Sequence, residues 1–332
     1  MKYRIITFGC QMNESDSQRI ATVLEKNGYS HASKENEADL LVVNMCSVRQ
    51  SAVDRVYGLI EKFKKLKTLP AGRQVKTILT GCVLPKDKQK FRGGFDQILK
   101  FPDLLKYKAK NQDSPQAFVP ISNGCNNLCT YCAVPLTRGA LKCRDHREII
   151  KEIKGARKKE IWLLGQNVNN YYSPADPSIN FANLIRKICE IPGNFKILFM
   201  SPHPKNFSDD LINVLANCQK FGGYLNLPVQ SGDDAILKKM ARNYTAKDYK
   251  NLVKKIREKM PDINLSTDVI VGFPGETKKQ FQNTVKLFKK IKFNNAYVSK
   301  YSPRPGTAAF KLKNNVPLAE KKRRWKILND LL

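Results

Sequence analysis

The sequence is poor in several things, and each shortage excludes something. It has no apolar run approaching the roughly 18 residues that cross a bilayer, so no membrane-spanning helix is expected. Its start, Met1-Lys2-Tyr3-Arg4-Ile5-Ile6-Thr7, lacks the apolar core and cleavage site of a signal peptide, which makes the cytoplasm the default compartment. Acid is scarce: 29 Asp and Glu stand against 59 Lys and Arg, a formal net charge of +30. Such an excess attracts phosphates strongly and with steep salt dependence, which favours a polyanionic partner over a merely solvated basic surface. Charge does not separate RNA from DNA. Only three histidines are present. His203 reads as a structural imidazole in preference to a proton carrier.

What is there begins with cysteine. Nine cysteines without an export signal argue for metal or redox chemistry, not a disulfide framework. Three stand together in Gly124-Cys125-Asn126-Asn127-Leu128-Cys129-Thr130-Tyr131-Cys132, at C-x3-C-x2-C spacing. Thiolates this close can converge on one small cluster, and cysteine is the standard ligand of 4Fe–4S clusters. With about four irons to satisfy, three local cysteines leave one iron for a distant ligand, a substrate or a cofactor. The competing readings are zinc or disulfides, but structural zinc normally wants two closely spaced cysteine pairs. Cys143, Cys189 and Cys218 lie in or near expected helices and read as small apolar packing groups.

A chain of 332 residues with 42% hydrophobic content suggests two globular domains. In the first, residues 3–9, 39–45 and 75–81 read as strands, with helices from about Asp16 to Lys26 and Gln50 to Leu66 between them. Strand and helix alternation implies an open parallel α/β sheet. Each strand ends at a cysteine: Cys10, Cys46 and Cys82, spaced 36 residues apart. The carboxyl edge of a parallel sheet is where α/β folds build their sites, so these thiols are expected to share one rim. Residues 66–74 look like an inserted loop, and 83–116 are basic and weakly patterned. The domain divisions expected are 1–100, a linker over 101–116, and 117–332.

The second domain opens with a strand, Ala117-Phe118-Val119-Pro120-Ile121-Ser122, that leads into the cysteine loop. Further strands are expected at 160–165, 196–201, 224–229, 265–271 and 296–301. Helices are expected near 146–158, 180–190, 207–217, 245–260 and 277–291. Six strands with intervening helices suggest a partial, open (β/α)6 barrel, whose active site would lie on the carboxyl rim. Strand-end residues there are Gln166-Asn167, Ser201-Pro202-His203, Gln230-Ser231-Gly232 and Gly272-Phe273-Pro274-Gly275-Glu276. Amides at a strand end can serve a ligand or merely cap a helix.

Several of these stretches resemble one family. Phe8-Gly9-Cys10-Gln11-Met12-Asn13, Asn44-Met45-Cys46-Ser47-Val48-Arg49 and Gly81-Cys82 look like the cysteine signatures of the radical S-adenosylmethionine (SAM) methylthiotransferases. Gly124 to Pro135 resembles that family's radical SAM loop. Leu164-Gly165-Gln166-Asn167-Val168-Asn169, Leu227-Pro228-Val229-Gln230-Ser231-Gly232 and Val269 to Thr277 also match, so the resemblance spans nearly the whole chain. The wording is most similar to the branch acting on N6-isopentenyladenosine in tRNA.

The resemblance implies two 4Fe–4S clusters. Cys10, Cys46 and Cys82 would bind an auxiliary cluster carrying the sulfur, and Cys125, Cys129 and Cys132 the cluster that cleaves SAM. Two SAM molecules per turnover would serve to methylate the sulfur and to generate a 5′-deoxyadenosyl radical. That radical would take hydrogen from C2 of the adenine beside the anticodon, a bond unactivated towards acid–base chemistry, and the cofactors carry this step. Gln166, Asn167, Gln230, Ser231, Gly272 and Glu276 would border SAM or substrate. The implied partners are a tRNA anticodon stem-loop, a sulfur donor, and an electron donor such as flavodoxin or ferredoxin. Relatives acting on threonylcarbamoyl-adenosine or on a ribosomal protein remain alternatives, as does a non-catalytic metal-bearing RNA-binding protein.

Two departures from the family pattern stand out. After Arg138-Gly139 the chain reads Ala140-Leu141-Lys142-Cys143-Arg144, where a basic residue, a glutamate and a Ser-Arg pair are usual. The sequence also stops at Leu331-Leu332, in what reads as the helix leading to the family's C-terminal TRAM domain.

Overall fold

The computed structural model describes residues 1–48, 50–67, 75–101, 103–110 and 114–332. It divides into two compact units, one of residues 1–114 with 133–139, the other of residues 115–132 with 140–332. The boundary differs from the expected one in two respects. Part of the expected linker packs on the first unit, with Phe101 and Leu104 against its core and Arg19 donating to the Tyr107 carbonyl at 3.1 Å. The segment 133–139, just after the cysteine loop, is also counted with the first unit.

The first unit contains β1 (Lys2–Thr7), α1 (Gln11–Lys26), β2 (Ser30–His31), β3 (Leu40–Cys46), α2 (Gln50–Lys67), β4 (Lys76–Cys82), α3 (Pro85–Phe91) and β5 (Gln97–Ile98). The helix α4 (Val134–Arg138) completes it. The sheet order is β2-β1-β3-β4-β5 and every pairing is parallel. Strand β3 is apolar and buried from Leu40 to Val43, as a central parallel strand covered on both faces must be. Chain direction across the sheet reverses between β1 and β3, and such a switch point opens a crevice at the carboxyl ends of the two strands. Helix α1 starts at Gln11, earlier than expected. Its first turns bury Asn13, Ser15 and Asp16, and this polar run hides the helix from a search for apolar periodicity. Of the expected inserted loop, residues 68–74 lie outside the described residues, as does Arg49.

The second unit contains β6 (Gln116–Pro120), a short antiparallel pair β7 (Ser122–Asn123) and β8 (Lys142–Cys143), α5 (His146–Ala156) and β9 (Glu160–Leu164). A second antiparallel pair, β10 (Tyr172–Ser173) and β11 (Asp176–Asn180), precedes α6 (Phe181–Cys189), β12 (Lys196–Phe199), α7 (Asp209–Asn217) and β13 (Tyr224–Asn226). Then come α8 (Asp234–Lys239), α9 (Ala246–Lys259), β14 (Asn264–Val271), α10 (Lys278–Ile291), β15 (Asn295–Lys300) and α11 (Leu318–Asn329). Parallel pairings give β6-β9-β12 and β13-β14-β15, and Gly222 N–H donates to the Ile197 carbonyl at 3.0 Å to carry the first set towards the second. Six strands in chain order make the partial barrel that the sequence led one to expect. One large apolar core joins strands and helices. Thr245 and Thr277 start α9 and α10 with reciprocal capping boxes, which satisfy N–H groups that a helix start leaves unpaired.

Cys189 and Cys218 depart from the packing role expected of them. They are joined as a disulfide, with Cα atoms 6.0 Å apart at the carboxyl ends of α6 and α7. Among the described residues no helix is long and apolar enough to cross a membrane.

Candidate functional site

In the first unit the sheet brings the three distant cysteines to one edge. Cys46 and Cys82 are direct partners in the β3–β4 register, and Cys10 stands at the N-cap of α1 just beyond β1. The carboxamide oxygen of Asn13 lies 3.7 Å from the Cys10 sulfur and 4.0 Å from that of Cys82, so one side chain touches two of the three. Asn13 is itself fixed by donating to the Asn44 side chain at 3.2 Å and the Met45 carbonyl at 3.0 Å. The glycines before the outer cysteines are required by geometry. At Gly81, φ is +95°, and a Cβ would meet the Asn44 Oδ1 at 2.3 Å.

The electrostatics of this rim favour a thiolate. The Cys46 thiol hydrogen-bonds to Cys82 and holds the latter's pKa down; burial opposes this, and the charge of Arg138 adds to the downward pull. Cys46 is pushed up by the same hydrogen bond and by burial. Arg138 donates from Nε to the Cys82 sulfur at 3.0 Å, and from Nη2 to Asp16 at 2.8 Å and Asn13 at 3.2 Å. None of Arg138, Asn13 and Asp16 is among the site residues expected from the sequence. A signal was available: Cys10, Asn13 and Asp16 recur every three residues, which puts polar side chains on one helix face.

In the second unit the cysteine loop is pinned from several sides. Gln166 Oε1 accepts from Gly124 N–H at 2.6 Å, ahead of the first cysteine. The Thr130 N–H donates to the Met240 carbonyl, its hydroxyl donates to the Lys239 carbonyl, and its own carbonyl accepts from Ala309 N–H. Tyr131 packs against a small core of Ile236, Met240, Phe273, Tyr301 and Ala309, so the loop is anchored next to the Gly272–Glu276 strand end. The three cysteines are half-buried. Cys125 accepts from Asn127 N–H at 3.4 Å, and burial pushes its thiol up. Leu128 between the cysteines is 82% exposed.

Arg242, likewise not among the expected site residues, is 5% exposed and points Nη1 at the Cys129 sulfur from 3.5 Å. Its other contacts are the Tyr244 hydroxyl and the Pro228 carbonyl, and no carboxylate pairs with it among the described residues. A buried cation without a counter-charge is costly, so this position suits an anionic neighbour. Arg242 and burial together drive His203 down to about 3, with burial the larger cause. His203 Nδ1 accepts from Lys205 N–H, so the imidazole is neutral and structural, as expected.

The other expected site residues divide. Asn167 is 2% exposed, makes no helix cap, and both its amide atoms lack a hydrogen-bond partner. A buried amide of this kind has a donor and an acceptor that suit a polar ligand. Gln230 sits at φ +69° and bridges to Val269 through its backbone. Ser231 is turned inward, 3.5 Å from the Thr284 hydroxyl. Glu276 accepts from Gly272 N–H at 2.7 Å and from Arg324 at 2.6 Å, so it braces the turn of its own strand end.

Among the described residues no three His, Cys, Asp or Glu side chains are disposed to hold a single metal ion. Each iron of a cluster takes its own thiolate, so the sulfurs of a cluster site stand further apart. Each set has a buried guanidinium directed at one sulfur, which fits thiolate ligands.

Comparison with known proteins is consistent with this geometry. Residues 119–288 match the Radical SAM superfamily, and residues 2–99 match Uncharacterized protein family UPF0004. The tRNA-2-methylthio-N(6)-dimethylallyladenosine synthase of Acetivibrio thermocellus is 40% identical over 98% of this chain and 75% of its own length. That of Clostridium tetani is 38% identical over 99% of this chain and 80% of its own. The chain belongs to this synthase family. Family membership brings SAM and a 4Fe–4S cluster. Among solved structures, the cobalamin-dependent SAM radical enzyme OxsB aligns with a TM-score of 0.60 at 11% identity. The alignment covers 99% of this chain and 55% of OxsB, and at that identity the likeness concerns the fold alone.

Proposed function

We propose that this synthase-family chain is a tRNA methylthiotransferase, which inserts a methylthio group at C2 of N6-isopentenyladenosine next to the anticodon. The observation that carries the reading is the near full-length likeness to enzymes named for that product. In this reading Cys10, Cys46 and Cys82 hold one 4Fe–4S cluster, and Cys125, Cys129 and Cys132 hold the other. When bound, the clusters and two SAM molecules supply the radical that removes the C2 hydrogen and the methylthio group that replaces it.

The chain's own residues do the positioning. Gln166 fixes the start of the cysteine loop through Gly124 N–H, and Thr130 and Tyr131 hold its far half. Asn167 offers an unpaired donor and acceptor towards SAM, with Gln230 and Ser231 shaping the neighbouring strand end. Gly272 and Glu276 keep the last turn rigid through the buried Arg324 pair. Arg242 offers positive charge to the loop thiolates or to a bound anion. The basic surface meets the tRNA phosphates, while a sulfur donor and an electron donor such as flavodoxin or ferredoxin act from outside, in the cytoplasm.

Anaerobic reconstitution tests the reading. About eight irons per chain, as two 4Fe–4S clusters, and 5′-deoxyadenosine on reduction with SAM are expected. Zinc in place of iron, or no cleavage of SAM, would sink it.

A further inference from the structure

Arg138 makes contacts that the activity proposed above does not require. Its side chain is only 9% exposed and the Asp16 side chain 11%, and they pair at 2.8 Å. Its Nε–H is spent on a sulfur, at 3.0 Å from Cys82, although the Asp16 carboxylate is within reach of the same guanidinium. Asn13 adds a third contact, with its carboxamide oxygen accepting from Arg138 at 3.2 Å beside the sulfurs of Cys10 and Cys82. The helix bearing Arg138 is held in turn by Lys100, which donates to the Thr137 carbonyl at 2.7 Å. A guanidinium is a fixed fork of donors, and here the fork is divided between one sulfur, one carboxylate and one amide.

We propose that Arg138, balanced by Asp16 and oriented with Asn13, is the positioning residue that sets the electron affinity of the cluster bound by Cys10, Cys46 and Cys82. The proposal rests on the reading that those cysteines bind a cluster. Hydrogen bonds to ligand sulfurs and nearby charge are the levers by which a protein shifts a cluster's reduction potential. An N–H donor and a positive charge withdraw electron density from the Cys82 sulfur and favour the reduced, more negative cluster. Asp16 works in the opposite sense, because its carboxylate cancels part of the guanidinium's field. The two residues therefore push the potential in opposite directions, which distinguishes this role from that of a pair that merely holds α4 in place.

The test uses the full chain carrying Cys125→Ala, Cys129→Ala and Cys132→Ala, reconstituted anaerobically with iron and sulfide so that one cluster is read. Its one-electron reduction is titrated with dithionite and followed by electron paramagnetic resonance, alongside iron content. With about four irons retained, Arg138→Met lowers the midpoint potential, Arg138→Lys lowers it less, and Asp16→Asn raises it. Unchanged potentials, or shifts of the same sign in the Arg138 and Asp16 variants, overturn the proposal. Should Arg138→Met lose its cluster, Arg138→Lys and Asp16→Asn still decide by the opposition of their signs. If the rim with Arg138 intact binds no iron, the cluster reading itself falls, and this proposal with it.

Discussion

The two cysteine sets solve one problem in contrasting ways. Cys125, Cys129 and Cys132 are neighbours in sequence, and a single loop has only to be pinned at its two ends. Cys10, Cys46 and Cys82 are separated by whole strand–helix units, and only the register of a parallel sheet brings them to one edge. The arginines differ in the same spirit. Arg138 has Asp16 as a partner and closes to 3.0 Å on Cys82. Arg242 has no carboxylate among the described residues and stays 3.5 Å from Cys129. One site arrives with its charges balanced, whereas the other keeps an unspent positive charge and an unsatisfied amide. The first suits a group held permanently, and the second suits a group that comes and goes.

The comparison can be broken most severely at the sulfurs. Cys129→Ala is expected to abolish SAM cleavage, read as 5′-deoxyadenosine, and to leave about half the iron. Cys46→Ala is expected to spare cleavage and eliminate methylthio product, and loss of cleavage in both variants would mean that the sites are not separate. A smaller effect probes the sheet rim. Gly81→Ala forces a Cβ to 2.3 Å from Asn44 Oδ1 in a positive-φ conformation, and strain of this kind costs roughly 1–3 kcal/mol or more. Gly155→Ala in α5 meets open space and should add stability by about 0.5–1 kcal/mol. Urea denaturation of both variants should therefore move in opposite directions.

A pH dependence in the second unit probes the comparison without changing either cysteine set. His203 is held down to about 3 by burial and then by Arg242, whereas an unfolded histidine protonates near pH 6.5. As pH falls below that value the unfolded chain takes up the proton first. Stability from the neutral imidazole is therefore complete above about pH 6.5 and is lost progressively down to about pH 3. In the cluster-free protein, His203→Asn should flatten the acid limb of the urea midpoint; an unchanged limb would count against a buried neutral imidazole.

Much of this was legible because strand ends carry their own punctuation. The apolar run at Leu40–Val43 and the Gly-Cys pairs at Gly9-Cys10 and Gly81-Cys82 announced both the parallel sheet and its rim. The barrel strands were equally plain. What stayed hidden were side chains whose role depends on tertiary approach. Arg138 lies 56 residues from Cys82 and Arg242 lies 113 from Cys129, separations that no local pattern encodes. Glu276 shows the converse: its motif drew attention as a border of SAM, yet its carboxylate is occupied by Gly272 N–H and Arg324. The pairing of Cys189 with Cys218 was likewise out of reach, since it depends on where two helix ends meet.

Two separate cysteine sites in one chain are proposed to act together on tRNA. Mass spectrometry of anticodon-loop nucleosides, from cells with and without this gene, tests it most directly. Cells with the gene should contain 2-methylthio-N6-isopentenyladenosine, and cells in which the gene is absent or carries Cys46→Ala should contain N6-isopentenyladenosine without the methylthio group. Unchanged methylthio nucleoside in either of those cells would contradict it.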